Sequence, residues 1–248
     1  SVFINTETNG VILKCDAIGS LEALTEMLRR QQIPISKADI GPVTRRDVLE
    51  AMALKENDRH LGVILAFNVK VLQDAETEAE DNHIRIFNDK IIYSLIDTYT
   101  QWVEDDKADE ENSILAELTP VCKFTFLKGF IFRNNNPAVF GIRVDVGNLR
   151  QKVPFMNKIG KKIGVIHQLQ HDGKTITSVK VGQEVACSVQ NITIGRQIAE
   201  EDVFYTLPSS SDAKKLLNKF TQRLSSEERN TLNEIVEIQR KIDPAYGY

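Results

Sequence analysis

The sequence lacks several features that mark particular classes of protein. Its 248 residues include only three cysteines, which are far apart and show no metal-ligand spacing. We therefore expect three buried thiols in a reducing compartment, without a disulfide framework or a metal site. No apolar run approaches the length of a membrane span, and the chain opens without a secretory signal, so we expect a cytoplasmic protein.

Sequence motifs of catalysis and nucleotide binding are also missing. No serine, histidine and aspartate order, carboxylate pair or glycine-rich dinucleotide fingerprint stands out. The stretch DGKT (172–175) has the end of a phosphate-binding loop, but Gln168 replaces its first glycine and strands are predicted on both sides. His167 and His171 are four residues apart, which on a strand is about 13 Å, too far for one zinc ion. We expect no catalytic residue, metal ion or cofactor in this chain.

Charge is unevenly distributed along the chain. The net charge is -4, but residues 114–207 hold 12 Lys and Arg against 7 Asp and Glu, whereas residues 1–105 hold 11 against 18. A basic segment beside an acidic one directs any contact with nucleic acid to residues 114–207.

Residues 1–95 show the alternation typical of a small α/β domain. Apolar runs of strand length lie at 10–16, 33–39, 61–71 and 83–87. Helical patterns lie at 20–30, 44–54 and 74–81, and Ser20 and Thr44 are the expected N-caps. Strands that are apolar on both faces and alternate with helices predict a parallel sheet covered on both sides, which is a three-layer fold. Because Ser1 is not methionine and SVFINTETNG joins directly into a strand-like run, we expect a piece of a longer protein.

The stretch KADIGPVTRRDV (37–48) joins a predicted strand to a predicted helix. Gly41 and Pro42 indicate a tight turn, and Arg45 and Arg46 open the helix. A helix N-terminus favours anions, so the arginine pair could bind phosphate there. The favoured alternative is salt bridging or contact with a partner.

The second half of the sequence predicts different architecture. Residues 88–118 fit one long helix after an Asn88/Asp89 cap, although the charged run 106–113 also suits a flexible linker. Residues 119–207 are short, partly alternating segments broken by Gly, Asn and Pro, which predict an antiparallel β-barrel. Residues 208–248 predict two short helices, the second opened by Ser225 with Glu228 three residues later.

Five stretches resemble one known family. They are LKCDAIGSLEAL (13–24), KADIGPVTRRDVLEA (37–51), ILAFNVKV (64–71), NPAVFGIRVDVGNLRQ (136–151) and GQEVACSVQNITIGRQI (182–198). In order, and over nearly the whole chain, they look like the C-terminal half of the universal translation-initiation GTPase. The more similar branch is the archaeal and eukaryotic one, initiation factor five-B, whose bacterial counterpart is initiation factor two.

The resemblance implies a fold and a function. The α/β domain would be the family's third domain, joined by one long helix to a fourth domain with a β-barrel. The family's GTP-binding domain, with its GTP and magnesium, lies upstream, so this piece is not expected to be an enzyme. By similarity, the barrel holds the methionylated acceptor end of initiator tRNA. The α/β domain relays the nucleotide state during the joining of ribosomal subunits.

The resemblance also implies site residues. Those expected to border the acceptor-end pocket are Phe140, Gly141, Ile142, Arg143, Glu184, Val185 and Ala186, with Lys161 and Lys162 nearby. Arg143 is expected to contact the terminal phosphates or sugar, and an ion pair with Glu184 is the alternative. Arg45 and Arg46 would face the ribosome or a neighbouring domain. The junction residues would be Asp16, Gly19, Asp39, Gly41 and Pro42.

Two terminal helices are typical of the archaeal and eukaryotic branch, where they dock a second initiation factor, one-A. The groove residues would be Leu216, Leu217, Phe220, Leu224, Leu232, Ile235 and Val236. The alternative is that these side chains pack on each other and on the barrel.

Two rival functions remain at this point. A flavodoxin-like enzyme or binding domain would hold a ligand at the carboxyl ends of the parallel strands, near Asp16 and Asp39. The barrel could instead be a module that binds protein, which an assay of tRNA binding would distinguish.

Overall fold

A computed structural model describes residues 6–248. The expected opening of the chain at Ser1 and the first part of SVFINTETNG lie outside the described residues. The chain divides into two compact units, one extending to Glu110 and the other covering Glu111–Tyr248.

The first unit is built on a four-stranded parallel sheet. Its strands are β1 (Val11–Cys15), β2 (Ile35–Ile40), β3 (Ile64–Phe67) and β4 (Ile86–Asp89), in the order β2-β1-β3-β4. Its helices are α1 (Ile18–Arg30), α2 (Arg45–Asn57), α3 (Gln73–Asp81) and the first part of α4 (Ile92–Glu117).

The central strand separates two apolar layers. Val11, Leu13 and Cys15 of β1 belong to a core that includes apolar residues of α1 and α4, while Ile12 belongs to a core with α2 and α3. Since successive side chains of a strand point to opposite faces, the two cores lie on opposite sides of the sheet. The predicted three-layer α/β fold is confirmed.

Helix α4 runs without a break from the first unit into the second. Leu95, Ile96 and Tyr99 are buried in the first unit, and Ile114 and Leu115 pack against a core of the second. The charged run 106–113 is helical, so the structure has the predicted long helix rather than a flexible linker.

The second unit contains a closed antiparallel barrel. Its six ring strands are β5 (Cys122–Arg133), β6 (Ala138–Arg150), β7 (Pro154–Asn157), β8 (Lys162–His171), β11 (Glu184–Val189) and β12 (Val203–Thr206). The ring runs β5-β6-β11-β8-β7-β12 and closes back on β5. Two short strands, β9 (Lys174–Ile176) and β10 (Ser178–Lys180), pair with β8 and β6. The predicted barrel is confirmed.

Two C-terminal helices cover one side of this barrel. They are α5 (Ser210–Asn218) and α6 (Ser226–Arg240), with a short 3-10 turn at Thr221–Arg223 between them. The predicted capping box of α6 is present, since Ser225 Oγ accepts from the Glu228 N–H and the Glu228 carboxylate accepts from the Ser225 N–H.

Of the two N-caps predicted for α1 and α2, one is right and one is wrong. Thr44 caps α2, and Asp47 completes its capping box. Ser20 is not a cap, because α1 begins two residues earlier with Ala17 in the capping position. The Ser20 hydroxyl donates instead to Asp16 Oδ1 at 2.8 Å.

The three thiols are buried, as predicted. Cys15 lies in the first unit, and Cys122 and Cys187 lie in the barrel core. Burial raises the pKa of the Cys15 thiol to about 12, and Asp16 adds to the effect. In residues 6–248, no helix is long and apolar enough to cross a bilayer.

Candidate nucleic-acid interface

A cleft lies on the outer surface of the barrel, across strands β5, β6, β11 and β8. It has two adjoining compartments with volumes of about 580 and 350 Å³. Four residues line both compartments: Phe132, Val139, Gln170 and Ala186. We call the larger one the first compartment and the smaller one the second compartment.

The far half of β5 forms one wall of the cleft. Burial alternates from Cys122 to Phe126, but every residue from Lys128 to Arg133 is exposed. Gly129 has a positive φ of 81° and the pairing with β6 shifts register between Phe126 and Ile131. This bulged region carries Phe130 and Phe132, which are 48% and 62% exposed. Solvent-exposed aromatic side chains of this kind can stack on bases.

Gly141 gives the wall its shape. A Cβ atom at this position would lie 2.6 Å from Phe130 Cβ and 3.6 Å from Leu127 Cδ1. Phe130 therefore packs directly over the backbone of β6, which only glycine permits.

The first compartment ends at a tight hairpin. Asp172 and Gly173 join β8 to β9 with φ angles of 49° and 74°, the conformation that Asp-Gly turns favour. His171 and Glu184 lie beside this turn and line the same compartment. DGKT therefore lies at a hairpin between two strands, as predicted, rather than before a helix.

The second compartment is bordered by Arg133, Pro137, His167, Gln168 and Ser188 together with the four shared residues. His167 and His171 lie on β8 as predicted and line different compartments. Among residues 6–248, no cluster of three or more His, Cys, Asp or Glu side chains is arranged to hold a metal ion.

The structure places the predicted pocket residues in four groups, two of which are described first. Gly141, Glu184, Val185 and Ala186 line the first compartment. Phe140 and Ile142 are fully buried in the barrel core because alternate residues of β6 face inward, so their side chains do not border the cleft. This part of the prediction is corrected.

Arg143 lies next to the cleft but does not line either compartment. It is the cross-strand neighbour of Glu184, yet its Nε donates to Asp145 Oδ1 at 2.9 Å. The hydrogen bond to Asp145 raises the pKa of Arg143, with a smaller contribution from Glu184. The alternative of an ion pair with Glu184 is therefore replaced by an ion pair with Asp145, and the expected contact of Arg143 with the terminal phosphates or sugar stays a prediction.

Lys161 and Lys162 are not brought to the cleft. Lys162 begins β8, whereas the cleft residues Gln170 and His171 end it. Eight residues of strand span about 26 Å, so the predicted support for the pocket by these lysines is corrected.

The predicted groove of the terminal helices is largely an interior surface. Leu216, Phe220, Leu232, Ile235 and Val236 are buried in one core with Met156 and Tyr205 of the barrel, and Leu217 and Leu224 pack against it. A partner cannot contact the five buried side chains, so the alternative of internal packing describes them.

The arginine pair of the opening α2 turn is engaged within the first unit. Arg45 Nε lies 2.6 Å from Glu78 Oε2 on α3, and Arg46 Nε lies 3.1 Å from Glu50 Oε1 on the same helix. These are the salt bridges that the sequence favoured over a phosphate site. A ribosomal or interdomain contact of the two arginines stays a prediction.

Both acidic residues expected to hold a ligand at the carboxyl ends of the parallel strands, Asp16 and Asp39, have partners in the structure. Asp16 accepts from Asn68 Nδ2 at 2.6 Å and from the Ser20 hydroxyl at 2.8 Å, and both bonds hold its pKa below the ordinary value. Asp39 lies 3.8 Å from the Lys14 ammonium. These contacts engage both carboxylates within the first unit, and the junction role that the resemblance implies stays a prediction.

Sequence reasoning missed several residues of the cleft. Phe130, Phe132, Arg133 and Asp172 line it, and none was assigned a role. A signal was present, because GFIFR places consecutive large apolar side chains after a glycine where alternation stops.

Comparison with known proteins agrees with this architecture. The model of the family "Elongation factor Tu domain 4" matches residues 120–205, which include the barrel. The model "Translation-initiation factor 2" matches residues 3–100. The two matches, with the α/β layers and the barrel, define a protein of the translation-factor class.

Individual relatives narrow the class. The chain is 44% identical over 245 residues to a probable translation initiation factor IF-2 of Hyperthermus butylicus, covering 98% of this chain and 40% of the relative. Identity to that of Ignicoccus hospitalis is 41% over 247 residues, covering 99% of this chain and 41% of the relative. The solved structure of GDP-bound aIF5B from Aeropyrum pernix matches 97% of this chain and 41% of that one, with 41% identity and a TM-score of 0.64.

The chain belongs to the IF-2 and aIF5B family of translation initiation factors. It spans about two fifths of the length of the curated relatives it matches. The resemblance stated from the sequence is confirmed.

Proposed function

We propose that the second unit binds the methionylated acceptor end of initiator tRNA in the barrel cleft, as part of an initiation factor that acts on the ribosome. The observation that supports this most strongly is the exposed pair Phe130 and Phe132 in a two-compartment cleft. Aromatic side chains stack on the exposed bases of single-stranded ends, and a CCA end is single-stranded. Family membership supports the same ligand.

The test is the affinity of the whole chain for methionylated and uncharged initiator tRNA. We expect tighter binding of the methionylated form, with weak and salt-sensitive affinity because the segment 114–207 is only mildly basic. Phe132→Ala should weaken binding by about 1–3 kcal/mol, the value of one base stacked on an aromatic side chain. Tyr93→Ala is the matched control, since Tyr93 is 71% exposed but belongs to the first unit. Equal affinity for charged and uncharged tRNA would contradict the proposal.

We propose that the first unit relays a nucleotide state from a GTP-binding domain outside this chain during the joining of ribosomal subunits. The chain itself would then neither bind nor hydrolyse GTP. Calorimetry with GTP should show no binding, and micromolar affinity would contradict this proposal.

We also propose that initiation factor one-A docks beside the C-terminal helices, at exposed rather than buried residues. Ile159 and Ile242 are 74% and 60% exposed, and Ile242 Cδ1 lies 2.7 Å from the Cβ position of Gly160, next to Ile159. Lys158 and Lys161 flank Ile159 along the chain. A basic rim around an apolar contact suits an acidic, apolar segment of a partner.

The docking site is tested by two variants that each introduce a charge at an exposed isoleucine. Ile242→Asp should abolish binding of that factor, whereas Ile40→Asp in the first unit should leave it unchanged. Equal effects of the two variants would contradict this docking site.

A further inference from the structure

The two compartments of the cleft differ in charge. Glu184 and Asp172 border the first compartment and Arg133 borders the second, while each compartment also has one histidine, His171 and His167 respectively. Phe132 lies on the boundary between the two. A ligand that carries a cation at one end and an anion at the other would meet complementary charge at both ends of this cleft.

The acidic side of the cleft is available for a ligand. In the described part of the chain, no hydrogen bond or ion pair within 4.0 Å engages the Glu184 carboxylate, because its neighbour Arg143 is bonded to Asp145. Asp172 is 89% exposed at the hairpin tip, with Oδ2 lying 3.5 Å from His171 Nε2. Both carboxylates can therefore accept a cation without breaking a structural contact.

The basic side is available in the same way. Within residues 6–248, the Arg133 guanidinium has neither a hydrogen-bonded partner nor an acidic side chain within salt-bridge distance. His167 contacts only the Gln190 side-chain amide, at 3.4 Å. A guanidinium without an acidic partner is suited to a phosphate group.

We infer that the cleft binds an aminoacylated nucleotide end in one orientation and reads its free α-ammonium group through Glu184. The aminoacyl group occupies the first compartment, with its apolar side chain against Leu127 and Phe130 and its ammonium group against the carboxylates. The terminal nucleoside stacks on Phe132, and its phosphate lies toward Arg133. This inference rests on the proposed binding of the acceptor end, and adds that an acylated amino group is a poorer ligand.

The test compares three forms of initiator tRNA with the whole chain: methionylated, N-acetylmethionylated and uncharged. We expect the N-acetylated form to bind about fivefold more weakly than the methionylated form, the value of one exposed charged contact. Glu184→Gln should lower affinity for the methionylated form to that of the acetylated form and leave the acetylated form unchanged. Glu237→Gln is the charge-matched control, because Glu237 is 76% exposed on α6, away from the cleft.

Two further variants test the contacts at the two ends of the ligand, the phosphate and the ammonium group. Arg133→Gln should weaken the binding of all three tRNA forms by a similar factor. It should also reduce the slope of log affinity against log salt concentration by about one, as expected for the loss of one phosphate contact. Asp172→Asn retains a residue that tolerates the positive φ of the turn, so it keeps the fold if Glu184→Gln does not. Asp172→Asn should reduce the difference in affinity between the methionylated and the N-acetylmethionylated tRNA.

The outcomes distinguish this inference from the proposed function. If the chain prefers charged over uncharged tRNA but binds free and acetylated forms equally, the orientation is wrong and acceptor-end binding stands. If both Glu184→Gln and Asp172→Asn still prefer the free over the acetylated form as strongly as the wild type does, the proposed role of the carboxylates is also wrong. If charged and uncharged forms bind equally, the proposed function itself fails.

Discussion

Gly141 shows how a single missing side chain can shape a binding surface. Gly141→Ala would place a methyl group 2.6 Å from Phe130 Cβ, so Phe130 would have to move out of its contact with β6. We expect this variant to lose about 1–3 kcal/mol of stability through overpacking and to bind charged tRNA more weakly. Chemical denaturation and tRNA titration measure the two effects.

A matched glycine provides the control for this prediction. Gly19 lies in α1, and a Cβ atom there meets nothing within 4 Å. Gly19→Ala should therefore leave tRNA binding unchanged and stabilise the helix by about 0.5–1 kcal/mol. Equal behaviour of the two variants would show that the contact with Phe130 is unimportant.

Asp47 is a buried acidic residue that pairs with two lysines of the first unit. Its buried carboxylate lies 2.9 Å from the Lys37 ammonium and 3.5 Å from that of the buried Lys14, and it accepts from the Thr44 N–H at 2.8 Å. Burial by itself raises the pKa of Asp47, but the Thr44 and Lys37 bonds outweigh it and hold the pKa below 3.8. Asp47→Asn would leave the buried Lys14 with only the mostly exposed Asp39, 3.8 Å away, so we expect a loss of about 3 kcal/mol at neutral pH.

The same group predicts the pH dependence of stability. Because the folded pKa of Asp47 is lowered, its contribution is fully present above the unfolded pKa and is lost as the pH falls through the folded value. The difference in unfolding free energy between wild type and Asp47→Asn should therefore shrink below about pH 4. Urea denaturation across pH 2–7 measures it, and a constant difference would show that Asp47 is not the responsible group.

At the scale of elements, the loop after α2 fastens the charged part of α4 within the first unit. Arg59 donates to Asp106 at 2.7 Å and to Glu110 at 2.9 Å, and His60 Nε2 lies 2.6 Å from Asp106 Oδ2. Arg59→Ala with His60→Ala should increase amide hydrogen exchange at residues 104–110. Arg46→Ala removes only a pair within α2 and should not do so. Unchanged protection in the double variant would mean that the helix is stable without these contacts.

The C-terminal helices allow a second test at this scale. Phe220 is fully buried in the core that joins them to the barrel, whereas Leu224 is only partly buried at its edge. Phe220→Ala should cost about 3–5 kcal/mol, and Leu224→Ala clearly less. Equal losses would contradict the packing described above.

The sequence predicted which segments are helices and which are strands, because the spacing of apolar residues and the length of each segment indicated the same kind of element. Strand β3 is a continuous apolar run, β1 is apolar except for Lys14, and α2 has its Thr44 cap in the sequence. Site residues were harder, because neighbours on a strand face opposite ways. Gly141 and Ile142 are adjacent in sequence, yet only Gly141 reaches the cleft. Which face a strand presents depends on closure of the barrel, which brings together residues far apart in the chain.

At the scale of the whole molecule, the division into two units predicts separable unfolding. Asp47→Asn should lower the stability of the first unit alone, and Phe220→Ala that of the second alone, because the two residues belong to different units. Two resolved transitions in calorimetry, each shifted by one variant, would confirm this. A single transition shifted by both would contradict it.

The reactivity of the buried cysteines can show which of the two units unfolds, because each unit contains at least one of them. Cys15 belongs to the first unit, and Cys122 and Cys187 to the second. A buried, protonated thiol does not react with an alkylating reagent until its surroundings unfold. Peptide mass spectrometry after brief alkylation would thus give an opening rate for each unit of the native, unlabelled protein, with no engineered probe in either one.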